Sequence, residues 1–131
     1  MHTRTINPSP WLQAFSINHG VEVTGGQRTL YLSGQTSTAA NGTPMHPGDI
    51  VQQFTFAWAN LKDALTEAGM TPANVLRLNM YTTDVDAFMA AGAEFFGIVA
   101  ADGCKPACTL LGVARLYDPS IMIEIEATAV A

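Results

Sequence analysis

Apolar and polar positions change rhythm several times along these 131 residues, and the changes mark out the elements. Between Thr29 and Gln35, Leu30 and Leu32 alternate with Tyr31 and Ser33, the two-residue period of a half-buried strand. Beyond a loop rich in Gly, Pro and Thr the period lengthens. Ile50, Phe54, Ala57, Leu61 and Leu65 recur at helical spacing, with Gln53, Lys62, Asp63 and Glu67 set off that face. Asp49, three residues ahead of Gln52, is placed to cap the first turn, and Gly69 to stop the helix after Ala68. Alternation resumes over 75–83, with Leu76, Leu78 and Met80 on one side and Arg77, Asn79 and Tyr81 on the other. Asp84 then caps a second helix running to about Ala100, which aligns Phe88, Ala91, Phe95 and Val99. Gly92 interrupts it, and close packing against a neighbour is the expected reason.

Both ends of the chain read as extended. A short strand at Thr3 to Ile6 is closed by Asn7, Pro8 and Pro10, and Trp11 to Asn18 forms a second extended segment. Near the other end, alternation over Cys108 to Leu116 sets Cys108 and Leu110 against Thr109 and Leu111. The last strand, Ile121 to Ala131, sets Ile123, Ile125 and Ala127 against Glu124, Glu126 and Thr128. The order strand, strand, strand, helix, strand, helix, strand, strand predicts one α+β domain over residues 1–131, with a mixed six-stranded sheet and two helices on one face. The uncovered face would carry Tyr31, Ser33, Asn79, Tyr81, Cys108, Leu110 and Glu124. That mixture is too apolar for open water and too polar for a core, so a second subunit is expected to close it.

Composition agrees. Charged residues are only 13% of the chain, against a usual share of about 25%, which suits a surface partly buried between copies. The net charge of -5 and six scattered basic residues argue against nucleic acid as a partner. The first nine residues hold no apolar core of a leader, and no run of 18 apolar residues exists. No membrane partner is expected, and a cytoplasmic location is. Cys104 and Cys108 lack the further Cys or His pair that zinc would need, so reduced thiols and no metal are expected.

Several segments carry a family likeness: Ser33-Gly34-Gln35, the Asp49-capped helix, Ala68-Gly69-Met70, TTDVDAF at 82–88, PACTLLGVARL at 106–116 and EIEATAV at 124–130. Together they resemble the RidA/YjgF family over essentially the whole chain. The resemblance implies a chorismate-mutase-like fold and a homotrimer whose sheets form a central barrel, with three ligand pockets between subunits. It also implies hydrolysis of reactive enamines and imines, such as 2-aminoacrylate, to keto acids and ammonia, with no metal or organic cofactor.

The family pattern is kept only in part. Its carboxylate-gripping arginine after Pro-Ala is replaced by Cys108. The tyrosine that lines its pocket corresponds to Ile17 by register or Phe15 by type, and an asparagine on the second helix to Gly92. Ser33 and Glu124 survive. The resemblance therefore implies a substrate other than 2-aminoacrylate.

Each candidate has a chemical and a structural reading. Glu124 can take a proton from water attacking a C=N carbon, or sit in an interface ion pair with Arg77 or Arg115. Cys108 can be a nucleophile if a base such as His19 lowers its pKa, or line the pocket beside Leu110. Ser33 can bond a ligand or only backbone. Arg77, on the uncovered face, is the cation placed to replace the lost clamp. Three functions stay open: an imine or enamine hydrolase, a trimer that binds a small metabolite without turnover, and a chaperone-like or regulatory trimer.

Overall fold

Both main helices start where an aspartate can satisfy their free N–H groups. In the computed structural model, which describes residues 1–131, the Asp49 side chain accepts from Gln52 N at 3.0 Å and opens α1, Ile50–Glu67. Asp84 accepts from Ala87 N at 2.9 Å and opens α2, Val85–Ala101. Gly69, at φ 69°, follows α1 in the left-handed region that ends helices cheaply. Arg28 Nη1 donates to Ala68 O at 2.8 Å and takes up one of the carbonyls freed there.

Six strands form: β1 His2–Ile6, β2 Gly20–Thr24, β3 Thr29–Gln35, β4 Val75–Thr82, β5 Ala107–Gly112 and β6 Ile123–Val130. They divide into a four-stranded sheet of order β3-β6-β4-β5 and a separate antiparallel pair, β1 and β2. The expected six-stranded sheet is thus four strands plus a hairpin. A β-bridge between Asn18, just ahead of β2, and Ala107 ties the two parts, and Asn18 N donates to Pro106 O at 3.0 Å. β5 runs parallel to β4, and such a pair needs a crossover, which α2 provides. α1 connects β3 to β4 with β6 between them, antiparallel to both.

The core lies between the sheet and the helices. Phe54 of α1 stacks on Phe95 of α2 with ring centroids 4.4 Å apart, and Phe88 leans on Phe95 at 5.1 Å. Leu78, Met80, Ile123 and Ile125 meet them from the sheet, all fully buried. Gln53, read as lying off the buried face, is fully buried as well. Its amide donates to His46 O (3.1 Å) and Ser120 O (2.8 Å) and accepts from Met122 N (2.8 Å), so one side chain satisfies three loop groups that no strand could reach.

The segment from Trp11 is not extended as expected. Trp11–Phe15 is a short 3-10 helix, begun after Pro10 and ended by Ser16 in the left-handed region at φ 59°. Proline has no N–H to lose and a φ already suited to a helical start, and this outweighs the apolar alternation downstream.

Candidate functional site

The register of β5 decides what the sheet presents on each face. Neighbours in a parallel pair share a face, and β5 pairs Arg77 with Ala107, Leu78 with Cys108, Asn79 with Thr109 and Met80 with Leu110. Leu78 and Met80 point at the helices and are buried. Cys108 and Leu110 therefore lie on the helix side, at the margin of the core, and not on the uncovered face where alternation had set them. Thr109 is on the uncovered face instead, and its hydroxyl accepts from Arg77 Nη2 at 2.8 Å. The strand's own alternation was right. Its phase against β4 was set by where the loop from α2 delivers the chain, and the sequence holds no marker of that.

The uncovered face holds a polar cluster. Glu126 accepts from Asn79 Nδ2 at 3.1 Å and from the Tyr81 hydroxyl at 2.5 Å. That bond to Glu126, then burial, pushes the Tyr81 phenol above its usual range. Glu124 stands two residues away in a different state. Its carboxylate lies directly over Gly34, where an added Cβ would come within 2.3 Å of Oε1. The β3–β6 register slips between Leu32 and Gln35, and the bulge lets this approach happen. The glycine of the Ser33-Gly34-Gln35 motif thus answers to contact and not to backbone angle: a side chain there would force the Glu124 carboxylate to move. Burial first, and the Glu126 charge second, raise the Glu124 carboxyl above the ordinary range. Neither of the chain's two ion pairs, Arg4–Glu22 and Lys62–Asp102, involves Glu124, so the pairing with Arg77 or Arg115 does not form within the chain. Ser33 is exposed beside it, with its carbonyl held by Gln35 Nε2 at 3.1 Å.

A second cluster lies on the helix side. Phe15, Ser16, Met89, Gly92, Phe96 and Gly97 line an apolar hollow of about 370 Å³ between the 3-10 turn and α2. A Cβ built on Gly92 meets nothing nearer than Phe96 Cε2 at 4.0 Å, and one on Gly97 meets nothing within 4 Å. Close packing does not explain these glycines, although each costs the helix about 1 kcal/mol relative to alanine. Next to this hollow, and sharing Ser16 with it, is a smaller one of about 180 Å³ lined by Gln13, Ile17, Asn18 and Lys105. The residue following Asn18's bridge partner Ala107 is Cys108.

The candidates therefore fall into two groups. Ile17 and Gly92 line the paired hollows, and Cys108 and Leu110 lie on the same side of the sheet; Glu124 and Arg77 lie on the opposite face, and Ser33 sits exposed in the β3 bulge. His19 belongs to neither. It is exposed on the hairpin, its Nδ1 3.4 Å from Asn7 Oδ1 and its ring edge-on to Trp11 at 6.2 Å. Burial pushes the Cys108 thiol up to about 11, with only Arg77 acting the other way, so the group is a neutral thiol at physiological pH. Lys105 was missed in the sequence; three positions before Cys108, it had no periodicity to single it out. No group of three or more His, Cys, Asp or Glu side chains converges as a metal site would need. No helix is long and apolar enough to cross a membrane.

Comparison with known proteins places this geometry in a lineage. The family model described as endoribonuclease L-PSP matches residues 12–131. A crystal structure of YyfB, a member of the conserved Rid protein family from Yersinia pestis, is 36% identical and superposes with a TM-score of 0.89, covering 100% of both chains. The YjgF gene product of E. coli is 26% identical, with a TM-score of 0.70 over 86% of each chain. Protein mmf1, mitochondrial, of Schizosaccharomyces pombe is 28% identical over 98% of this chain and 77% of its own length.

Proposed function

The chain belongs to the YjgF/RidA family, and from that premise we propose that it is a cofactor-free hydrolase of an imine, enamine or related small metabolite, assembled as a homotrimer. The observation that carries this reading is Glu124: a half-buried carboxylate with raised proton affinity, fixed over Gly34 and outside both ion pairs. A base whose pKa is lifted toward the working pH transfers protons well. In the proposed step Glu124 takes a proton from water as the oxygen adds to the C=N carbon. Glu124 returns that proton to the nitrogen, giving a carbinolamine; the carbinolamine's hydroxyl proton then passes to the nitrogen as the C–N bond breaks, so ammonia leaves and a carbonyl remains.

Glu124 and Cys108 lie on opposite faces of the sheet, so a pocket containing both requires a second copy. The exposure of Tyr31 (80%) and Leu111 (50%) also favours a covered face. Cys108, as a neutral thiol, lines the pocket and does not attack the substrate. It cannot replace the bidentate grip of an arginine on a carboxylate, a class of contact worth roughly 1.5–3 kcal/mol per charged bond. Turnover of 2-aminoacrylate should therefore be at least about a hundredfold below that of Arg-bearing relatives. Nucleic acid is not the proposed partner, since the six basic residues are scattered in a chain of net charge -5.

Ammonia release from imines generated in situ tests the reaction, and light scattering at low micromolar concentration tests the assembly. Glu124→Gln should keep the trimer mass and lower turnover at least about a hundredfold. Undiminished turnover would remove Glu124 from the mechanism, and a stable monomer would remove the shared pocket. Tight metabolite binding without turnover of any imine would favour a non-catalytic binding trimer.

A further inference from the structure

The two glutamates of the uncovered face are supplied with hydrogen-bond donors unequally. In the β4–β6 register Tyr81 stands opposite Glu124, and Asn79 opposite Glu126. Directly opposed residues are the nearest neighbours across a sheet, and a diagonal neighbour is within reach only of a long side chain. The Tyr81 hydroxyl takes the diagonal and donates to Glu126 Oε1 at 2.5 Å. Asn79 Nδ2 donates to the same oxygen at 3.1 Å, although Asn79 Oδ1 is then left without a partner. Glu124 receives neither donor and is held instead by its contact with Gly34. The other titratable groups of this face are Arg77 on β4 and Tyr31 on β3, both opposite Thr128 and so further along the sheet from Glu124. Arg77 Nη2 donates to Thr109 of β5 at 2.8 Å. Near Glu124, β3 brings only Ser33 and Gly34, and β5 adds Thr109 and Leu111 to the face, none of them titratable.

We propose that Glu126 is a positioning residue for the Glu124 base. Tyr81 and Asn79 fix its carboxylate two residues away on the same strand face, and by taking both donors it leaves the Glu124 oxygens free to bind the attacking water. Only that last step rests on the hydrolase reading. Two carboxylates on one face then have separate duties, one standing as a fixed charge and the other exchanging a proton. The Glu126 charge adds to burial in favouring the protonated form of Glu124, which strengthens Glu124 as a base.

Carbon-13 NMR titration of the glutamate carboxyls in the intact protein tests this without a substrate, the Glu124 signal being the one lost in Glu124→Gln. Glu126→Gln keeps an acceptor for Tyr81 and Asn79 and removes the charge. The Glu124 midpoint should then fall by at least about half a pH unit, the effect in water of one charge about 7 Å away. Glu126→Asp keeps the charge and should retain most of the elevation. Tyr81→Phe, which covers the case in which circular dichroism shows Glu126→Gln unfolded, takes one donor from Glu126. It should lower the Glu124 midpoint as well, because the proton is then shared between the two carboxylates. An unmoved Glu124 midpoint in folded Glu126→Gln or, failing that variant, in Tyr81→Phe would overturn the proposal. Where an imine is turned over, the acid limb of the kcat profile should move down with the midpoint. A limb that stays in place while the midpoint moves would overturn the positioning role. A midpoint that moves as expected, with no imine turned over by the unmodified protein, would keep the electrostatic pairing and remove the hydrolase.

Discussion

Under α1 and α2 the four-stranded sheet is sealed: Leu78, Met80, Ile123 and Ile125 are fully buried beneath Phe54, Phe88 and Phe95. On its other face, along the same strands, Tyr31 is 80% exposed and two glutamates stand two residues apart beside one arginine. The first face is complete within one chain. The second contains one buried polar atom without a hydrogen-bond partner, Asn79 Oδ1. A sheet that spends one face on its own stability and leaves the other only half satisfied is built for a partner or a reaction there.

The largest effect should come from the sealed face. Phe95→Ala removes the ring that touches both Phe54 and Phe88, and urea unfolding should report a loss of about 3–5 kcal/mol. A loss below about 1 kcal/mol would mean that this face is not the seat of stability. On the open face the outcome should be reversed. Gly34→Ala drives a methyl group into the Glu124 carboxylate, so turnover should drop by about tenfold or more while the urea midpoint moves little. A large stability change with turnover intact would show the two faces to be less separate than the packing implies.

Two smaller effects sharpen the contrast through pH. Asp102 at the end of α2 accepts from Trp58 Nε1 at 2.7 Å and from Lys62 Nζ at 2.9 Å, and these bonds, the indole first, hold its carboxyl below the usual range. A lowered folded-state pKa adds stability above the unfolded carboxylate value of about 3.9, and that stability fades as pH falls through the folded value. Asp102→Asn should cost up to about 1 kcal/mol at pH 7, and the gap to the unmodified protein should close on acidification below about pH 4. Glu124 has the opposite sign. Its raised pKa favours the folded state below about pH 4.3 and loses that contribution as pH rises, so Glu124→Gln should not destabilise the protein at pH 7. The smallest effect is at Cys108: iodoacetamide should modify it slowly at neutral pH, with the half-rate point above about pH 9, and Cys108→Ser should leave the chemical step nearly unchanged.

What could be read in advance follows the range of the interactions involved. Both helix starts were legible because Asp49 and Asp84 act on N–H groups three residues away. The faces of β4 and β6 were legible because alternation alone fixes them once one side is buried. Three features depended on distant segments and were not. The phase of β5 comes from its pairing with β4, the burial of Gln53 from loops near His46 and Ser120, and the hollow at Gly92 from the 3-10 turn. The family motifs located Glu124 and Gly34 in the sequence, but the reason for the glycine, a carboxylate lying on it, is a contact between strands 90 positions apart.

The bridge at Asn18 has a consequence in time as well as in space. β1 and β2 pair with each other, and the β-bridge that ties their segment to the main sheet is the one between Asn18 and Ala107. That hairpin buries almost no apolar surface, so its opening need not wait for the core to open. Amide hydrogen exchange should divide the molecule into two populations. Val21 and Val23 should exchange through small local openings, and Leu78 and Ile125 only on global unfolding. The Asn18 amide should fall between them, and its protection would measure how firmly the wall that carries Ile17 is held against the edge of β5.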